Sequence, residues 1–500
     1  METLPILQAS LAFLLGLALL LLFKLGRTPS VKPPPGPLGW PIIGSLLQYP
    51  HGLTPQALTD LTASYGDIFM VKLGQLSTVV VSSPTLAIDV LQTHGVEFGA
   101  RPRNLLFDVL TSKGQDLVFA DYGDHYKKVR RICTPPFFSG KAIQQCRQGW
   151  EEELTITMDT MRQLPDAAMS GIIIKDHLQM LMYSLVYRMM FSRRFSGPED
   201  PLYMEIMRLN ANSRQIIVNS KKNNRIVNFF PCLKPFLKSY LDEVRSANRK
   251  RLTFFKTTFI EGLIKEKEGR AKVGVDPILD AHAKGELSDD TVLYLIQNIN
   301  VAAIDTTVWV MEWGVAVLVN NKHIQETLRN ELDSILGKGI PVTEPDLARL
   351  PYLQAVVKEV LRQHMVIPLL LPHQNLKPAK IGKYDIPARS KVLVNARGMA
   401  NDPKYWKSPE VFDPTRFLDA NIEMSGNDMR FMPFGSGRRS CPGMAMAVVV
   451  LSLALGRMVQ EFELLPPLGK VKVDMKPAGV LVDAHILAEK SKVVLKPRDT

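Results

Sequence analysis

The chain has 500 residues, is 46% hydrophobic and 22% charged, and so is neither disordered, collagen-like nor a coiled coil; its length allows one large domain or up to about three. Lys plus Arg number 61 against 49 Asp plus Glu, a net charge of +12 that points to an acidic partner, a membrane surface or nucleic acid without choosing among them. Its four cysteines, Cys133, Cys146, Cys232 and Cys441, form no CxxC pair, which excludes a disulfide scaffold and a cysteine zinc knuckle.

Leu11–Phe23 is a continuous apolar run; extended back to Leu4 it reaches about twenty residues, enough to cross a bilayer. Lys24 and Arg27 follow it, Glu2 precedes it, and no small-x-small cleavage site ends it. These flanks favour an uncleaved anchor over 1–23 with the body in the cytoplasm, rather than a signal peptide. Residues 24–37 are basic and then proline-rich; Pro33–Pro37 is stiff and extended, a spacer. Residues 38–500 show no second linker, repeat or low-complexity tract and read as one body.

The body opens with strand-like pieces, Phe69–Leu73 and Thr78–Val81, and helical periodicity then dominates. Helices are expected at Tyr122–Cys133, Lys141–Arg162, Lys175–Phe191, Leu202–Asn219 and Phe236–Lys267. The longest expected helix is Ser288–Asn320, its start marked by Ser288, Asp289 and Asp290. Ile324–Leu336, Leu353–His364 and the apolar Met444–Phe462 follow, with strand-like pieces at Ile381–Ile386, Lys391–Ala396 and Val480–Ile486. The fold class is mainly α with a small β subdomain, and no strand–helix alternation supports a nucleotide-binding sheet.

Phe434–Gly443 (FGSGRRSCPG) carries the most chemistry. Two glycines before Cys441 permit tight turns and close approach of backbone to a flat ligand. Pro442 suits a first helical position, which would put Cys441 at a helix N-terminus beside Arg438 and Arg439, both favouring thiolate. Such a thiolate, shielded by Phe434, is what an axial ligand to haem iron requires. A dinucleotide fingerprint fails because Ser440 stands at the third glycine position and no strand precedes it. A buried structural cysteine is the other reading.

The decapeptide fits F-x-x-G-x-R-x-C-x-G, and on it the chain resembles the cytochrome P450 superfamily. The resemblance implies that family's fold and a haem b held through Cys441. Ala302–Thr307 (AAIDTT), midway along the longest helix, then matches the family's oxygen-activation motif with Ala303 at the glycine position. Asp305 and Thr306 would relay protons, and threonine can open a helix by bonding a carbonyl one turn earlier. Glu359 and Arg362 form E-x-x-R, and Phe412–Phe417 carries Arg416; in the family these three make a buried network behind the haem loop. Haem propionates would take Arg439, His373, and Tyr126 with Arg130, where tyrosine replaces the family's tryptophan. No flavin or nicotinamide domain is present, so electrons would come from NADPH through a reductase, NADPH–cytochrome P450 reductase, docking on Lys127, Lys128, Arg130, Arg131 and Arg438. No nucleic-acid motif matches, and the anchor implies a single-pass endoplasmic reticulum protein.

Arg103–Phe119, Val129–Phe138, Ile299–Thr307 and Glu344–Glu359 look like the plant cinnamate 4-hydroxylases, over roughly residues 30–490. This implies hydroxylation of a small aromatic acid, trans-cinnamate to 4-coumarate in phenylpropanoid metabolism. Departures fall where substrate should bind: Gln363-His364 for Leu-Arg, Ser213-Arg214-Gln215 for Arg-Ser-Arg, a basic Ser220–Asn228, Arg397-Gly398 for two tryptophans, and a changed Val480–Ala484. Candidate substrate contacts are Arg103, Ser213, Arg214, Ile217, Val218, Asn298, Ala302, His364, Ile367 and Val482. Arg103, Arg214 and His364 are the candidate cations for a carboxylate. The other readings are a different small aromatic or hydrophobic substrate, and a reductase-independent haem-thiolate isomerase or sensor, which would not need the Asp305–Thr306 relay.

Overall fold

The computed structural model describes residues 16, 32–49, 52–230, 235–266, 270–418, 422–478 and 484–498. Gly16 apart, the expected anchor lies outside the described residues, as do positions 480–483 of the last expected strand. Pro33–Pro37 forms no helix or strand, and part of it is seated on the fold: Pro34 is buried and the carbonyl of Pro35 accepts the Met70 N–H at 2.7 Å.

The short apolar runs form strands β1 (Ile68–Leu73) and β2 (Leu76–Val81), an antiparallel pair, β2 ending in three valines. β2 then pairs in parallel with β7 (Lys391–Val394), which pairs antiparallel with the short β4 (His373–Gln374). The sequence piece Ile381–Ile386 is a hairpin, β5 (Ala379–Ile381) and β6 (Tyr384–Ile386), because Gly382 turns the chain in its middle. A second sheet joins β3 (Ile172–Ile173), β9 (Lys492–Pro497) and β8 (Phe462–Leu465).

Helices make up the rest. Those that bear on the site are α1 (Leu105–Leu110), α2 (Asp124–Cys133), α3 (Gly140–Gln163), α4 (Ile174–Phe191) and α5 (Pro201–Phe229). They are followed by α6 (Lys238–Phe255), α7 (Asp289–Asn320), α8 (Pro351–Gln363) and α9 (Met444–Glu461). α5 runs ten residues beyond its expected end at Asn219, and the expected helix Phe236–Lys267 is interrupted after Phe255 by a π turn, Lys256–Ile260. α7 is 32 residues, about 48 Å long, and Ser288 caps it by accepting the Thr291 N–H at 3.2 Å.

α4, α7, α8 and α9 bury a shared apolar core that includes Leu181, Tyr187, Met311, Trp313, Val356 and Leu451. α7 and α9 are apolar along their length because they pass through this core. A smaller core under the four-stranded sheet holds Phe98, Val392, Val394 and Met432.

Candidate functional site

The loop before α9 is built from its carbonyls. The Cys441 N–H donates to Phe434 O at 2.9 Å, closing the decapeptide on itself. Gly435 and Gly437 take φ of 73° and 68°, the left-handed region, and a Cβ on Gly437 would come within 2.0 Å of Leu91 O. Helix α9 starts at Met444, not at Pro442: Pro442 and Gly443 form a turn, because Gly443 is the N-cap. The Gly443 N–H and Arg130 lower the Cys441 pKa, while burial pushes it up more strongly. Arg438 and Arg439 are not among the groups that lower it, a correction to the expected source of thiolate stabilisation. Cys441 nevertheless presents accessible surface although protein crowds it on every side, so it faces an internal space.

α2 supplies the struts of this loop. Tyr126 Oη donates to Arg438 O at 3.0 Å, and Arg130 Nη1 donates to Tyr126 Oη and to Ser440 O, each at 3.0 Å. Tyr126 therefore spends its one proton on the loop backbone rather than on a propionate, a correction to its expected role. His373 also differs from expectation. Its Nδ1 lies 2.9 Å from Phe98 O, which can only accept, so Nδ1 carries the proton. Burial, Arg101 and Arg439 push its pKa down to about 3, so His373 is neutral and is not a cation.

Arg439 is different. Its Nη2 donates to Val118 O at 2.9 Å, its guanidinium stacks 4.3 Å over the Tyr126 ring, and its Nη1 is buried with no partner. Arg101, absent from the sequence-derived candidates, joins it: Nη1 donates to Leu371 O and Pro372 O, both at 2.8 Å, and Nε to Val118 O at 3.3 Å. Burial holds the pKa of both guanidiniums below the usual arginine range. Nothing in the local pattern separates Arg101 from Arg103; the tertiary covering of Arg101 does.

α7 crosses above. It is buried on both sides of a short accessible stripe: Val301 and Ala302 are exposed, Asn298, Asp305 and Thr306 half-buried. Thr306 Oγ1 donates to Ala302 O at 2.7 Å and Thr307 Oγ1 to Ala303 O at 2.8 Å, so both hydroxyls bend back by one turn. Exposed small residues in the middle of a core helix mean that the stripe borders an internal space.

Behind the loop the structure brings Glu359, Arg362 and Arg416 together. Arg362 is bidentate on Glu359, 2.7 Å on each oxygen, and Arg416 Nε reaches Glu359 Oε1 at 3.1 Å. Ala400 O and Pro409 O, each at 2.8 Å, take further Arg362 protons.

The substrate candidates are not brought to one point. Arg103 is ion-paired to Asp108 (3.3 Å) and Asp121 (3.2 Å). Ser213 Oγ turns back to Leu209 O at 3.0 Å. Arg214, Ile217 and Val218 lie on α5, but their side chains are outside the described residues, as is Val482. Ile367 is half-buried against the main core. His364 does not stand as a cation: its ring stacks on Trp313 at 4.2 Å, with His485 parallel to Trp313 at 4.8 Å, and burial holds its pKa well below 6.5. In the basic cluster, Lys128 Nζ donates to Glu286 O at 2.9 Å and Arg131 pairs with Glu286 at 3.4 Å, while Arg130 points inward.

These residues fit a haem. A sulfur faces an internal space, small residues line the opposite helix, and half-buried Arg439 keeps one covered nitrogen, Nη1, without a partner beside buried Arg101. Buried cations need paired anions, and the two propionates of a haem are such anions.

Residues 34–486 match the cytochrome P450 family, and the chain belongs to it. Membership brings haem iron with thiolate ligation and monooxygenase chemistry on a small molecule with dioxygen and a redox partner. More particularly, the chain is 50% identical over 475 residues to a trans-cinnamate 4-monooxygenase of Glycyrrhiza echinata, covering 93% of this chain and 94% of that one. It is 49% identical over 494 residues to one of Vigna radiata var. radiata, covering 97% of each. Among solved structures, a zebra fish cytochrome P450 with progesterone superposes with a TM-score of 0.76 at 26% identity, over 90% of this chain and 99% of that one.

Proposed function

We propose that this chain is a membrane-anchored monooxygenase that hydroxylates trans-cinnamate to 4-coumarate. The observation that carries the substrate is its near-half identity, end to end, with trans-cinnamate 4-monooxygenases. One oxygen atom of O2 enters a ring C–H bond and the other leaves as water, with two electrons and two protons consumed.

Haem b bound through Cys441 supplies dioxygen reduction and oxygen transfer. The protein's residues do the rest. Gly443 N–H and Arg130 lower the pKa of the thiol and so favour the thiolate. Arg439 Nη1, which has no protein partner, and Arg101 would pair the propionates, with His373 as a neutral neighbour. Thr306 and Asp305 hold and deliver protons; the Thr306 hydroxyl rests on Ala302 O and can rotate off it. Tyr126 and Arg130 hold the loop backbone, and Phe434 covers it.

Residues 1–23 form the anchor in the endoplasmic reticulum membrane, 24–37 the linker, and 38–500 the catalytic domain facing the cytoplasm. NADPH–cytochrome P450 reductase docks on the side of α2 and Arg438. Its acidic surface meets Lys127 and Arg438, and Arg131 once released from Glu286. His364 in its stack and Arg397 where two tryptophans are usual favour a second reading, a related small aromatic or hydrophobic substrate.

Spectral titration of the purified ferric protein with trans-cinnamate tests the proposal. A low-to-high-spin shift that saturates is expected; no shift at saturating concentration overturns the substrate. Thr306→Ala is expected to uncouple electron use from product, and Cys441→Ala to abolish the thiolate-type carbonyl spectrum.

A further inference from the structure

Residues 111–123 connect α1 to α2, and one carbonyl in this segment, that of Val118, accepts from both Arg439 Nη2 and Arg101 Nε. The connection is thus tied to the two guanidiniums beside the Cys441 loop. It also carries a buried carboxylate that the loop, the relay and the Glu359 network leave unused. Asp116 is 2% exposed, and its Oδ1 accepts the Phe119 N–H at 2.6 Å. Its Oδ2 reaches across to α7 and accepts from Asn298 Nδ2 at 3.4 Å.

Asn298 is the residue at which the accessible stripe of α7 begins. Its neighbours Leu295, Ile296, Gln297, Ile299 and Asn300 are buried, while it is half-buried, one turn before exposed Ala302. Thr306 lies eight residues on, about 12 Å along the axis. Asn298 therefore meets the far end of a substrate whose reacting carbon sits near Thr306.

A bare asparagine on such a stripe has two orientations, which exchange the donor and acceptor it shows to a ligand. An ionised carboxylate only accepts, so Asp116 admits one of them: NH2 toward Asp116, carbonyl oxygen away. Burial pushes the Asp116 pKa up to about 6, and Arg439 and the Phe119, Val118 and Ala120 N–H groups hold it from rising further, so it is charged at pH 7.5.

Resting on the substrate reading above, we propose that Asp116 is a positioning residue for substrate selection. It orients the Asn298 amide so that its carbonyl oxygen and second N–H face the substrate space, and it references that amide to the haem-side arginines through the Val118 connection. The second N–H is a donor suited to a carboxylate oxygen at the far end of a small aromatic acid.

The test is a double-mutant cycle on the holoenzyme with Asp116→Asn, Asn298→Leu and the pair. Asp116→Asn keeps an acceptor oxygen for the Phe119 N–H, and each variant is first required to show the carbonyl spectrum at full intensity. The Kd for trans-cinnamate comes from the spin-state titration. Asp116→Asn is expected to weaken binding about three- to tenfold, the worth of one such hydrogen bond. The pair is expected to bind no more weakly than Asn298→Leu alone. Wild-type affinity in Asp116→Asn, or effects that multiply in the pair, overturns the proposal; a purely structural role for Asp116 gives the multiplying result. The cycle is repeated with 4-(imidazol-1-yl)benzoate, which binds haem iron through its ring nitrogen and carries a carboxylate at its far end. If the wild type ignores cinnamate, the substrate reading fails, and coupling or its absence with this probe still decides for or against Asp116.

Discussion

Arg362 and Arg101 are buried and Arg439 half-buried in the same fold, and their guanidiniums are finished to different degrees. Every nitrogen of Arg362 has an acceptor, two of them bonding Glu359, and Arg416 and the Asp413 N–H complete that carboxylate. Among the described residues Arg101 and Arg439 make no ion pair, their hydrogen bonds go to carbonyls, and Arg439 Nη1 has none. A closed network holds the fold. An open one, whose burial is offset only in part by carbonyls and by the Asp116 and Asp121 carboxylates nearby, has capacity left for an anion.

The comparison is most directly broken at Glu359. Glu359→Ala strands two arginines and is expected to cost about 3–5 kcal/mol, measured by denaturant unfolding. A loss under about 1 kcal/mol would show that the network is not structural. On the open side, Arg439→Leu removes one carbonyl bond and should leave the unfolding midpoint of the haem-free chain near that of wild type. It should instead speed haem loss about ten- to a hundredfold, read by transfer to an acceptor protein, because a charge-assisted bond to a propionate is missing. Equal haem retention would sink the assignment of Arg439 to the cofactor.

The His364–Trp313–His485 stack sharpens the contrast from a third direction: both His364 ring nitrogens and His485 Nε2 are buried without a partner, while the Trp313 N–H donates to His485 O at 3.0 Å. Burial holds the His364 pKa well below 6.5 and pushes that of His485 down to about 3. The folded state thus binds fewer protons than the unfolded one between about pH 6.5 and 3. The stability these residues contribute is fully present above about 6.5 and is lost as pH falls through that window. Asp116, raised to about 6, opposes this in part between its ordinary value near 3.8 and 6. Unfolding measured across pH 4–8 should show the fall, and His364→Phe should flatten it; a profile unchanged by that substitution would remove His364 as a source. The smallest effect is expected from Tyr126→Phe. It removes the proton donated to Arg438 O, about 1 kcal/mol, with haem content kept. Haem loss in this variant would restore Tyr126 as a direct cofactor ligand.

Much of the frame was legible beforehand. The Ser288 cap and the 33-residue apolar pattern place α7 within one residue, and short alternating apolar runs bounded by turn residues place β1 and β2, since caps and periodicity are local. The Cys441 loop was legible because glycine, arginine and cysteine at fixed spacing are each demanded by its geometry. Glu359 and Arg362 share a helix turn, which spacing shows; that Arg416 meets them across 57 residues is tertiary. α5 outruns its expected end at Asn219 because the basic tract SKKNNRIVN holds no glycine or proline to stop the helix.

The chain by itself determined most of its helices, the turn-forming loop around Cys441 and the mid-helix spacing of Asp305 and Thr306, because capping, periodicity and motif spacing act over a few residues. Only the tertiary structure decided which polar groups are spent and which are left over. Tyr126 is consumed by a carbonyl 312 residues away, His373 is neutralised by burial beside Arg101, and Arg103 is taken by two carboxylates while the Arg101 side chain bonds carbonyls. Hydrogen-bond satisfaction and desolvation depend on every neighbour in space, and sequence spacing does not encode those neighbours.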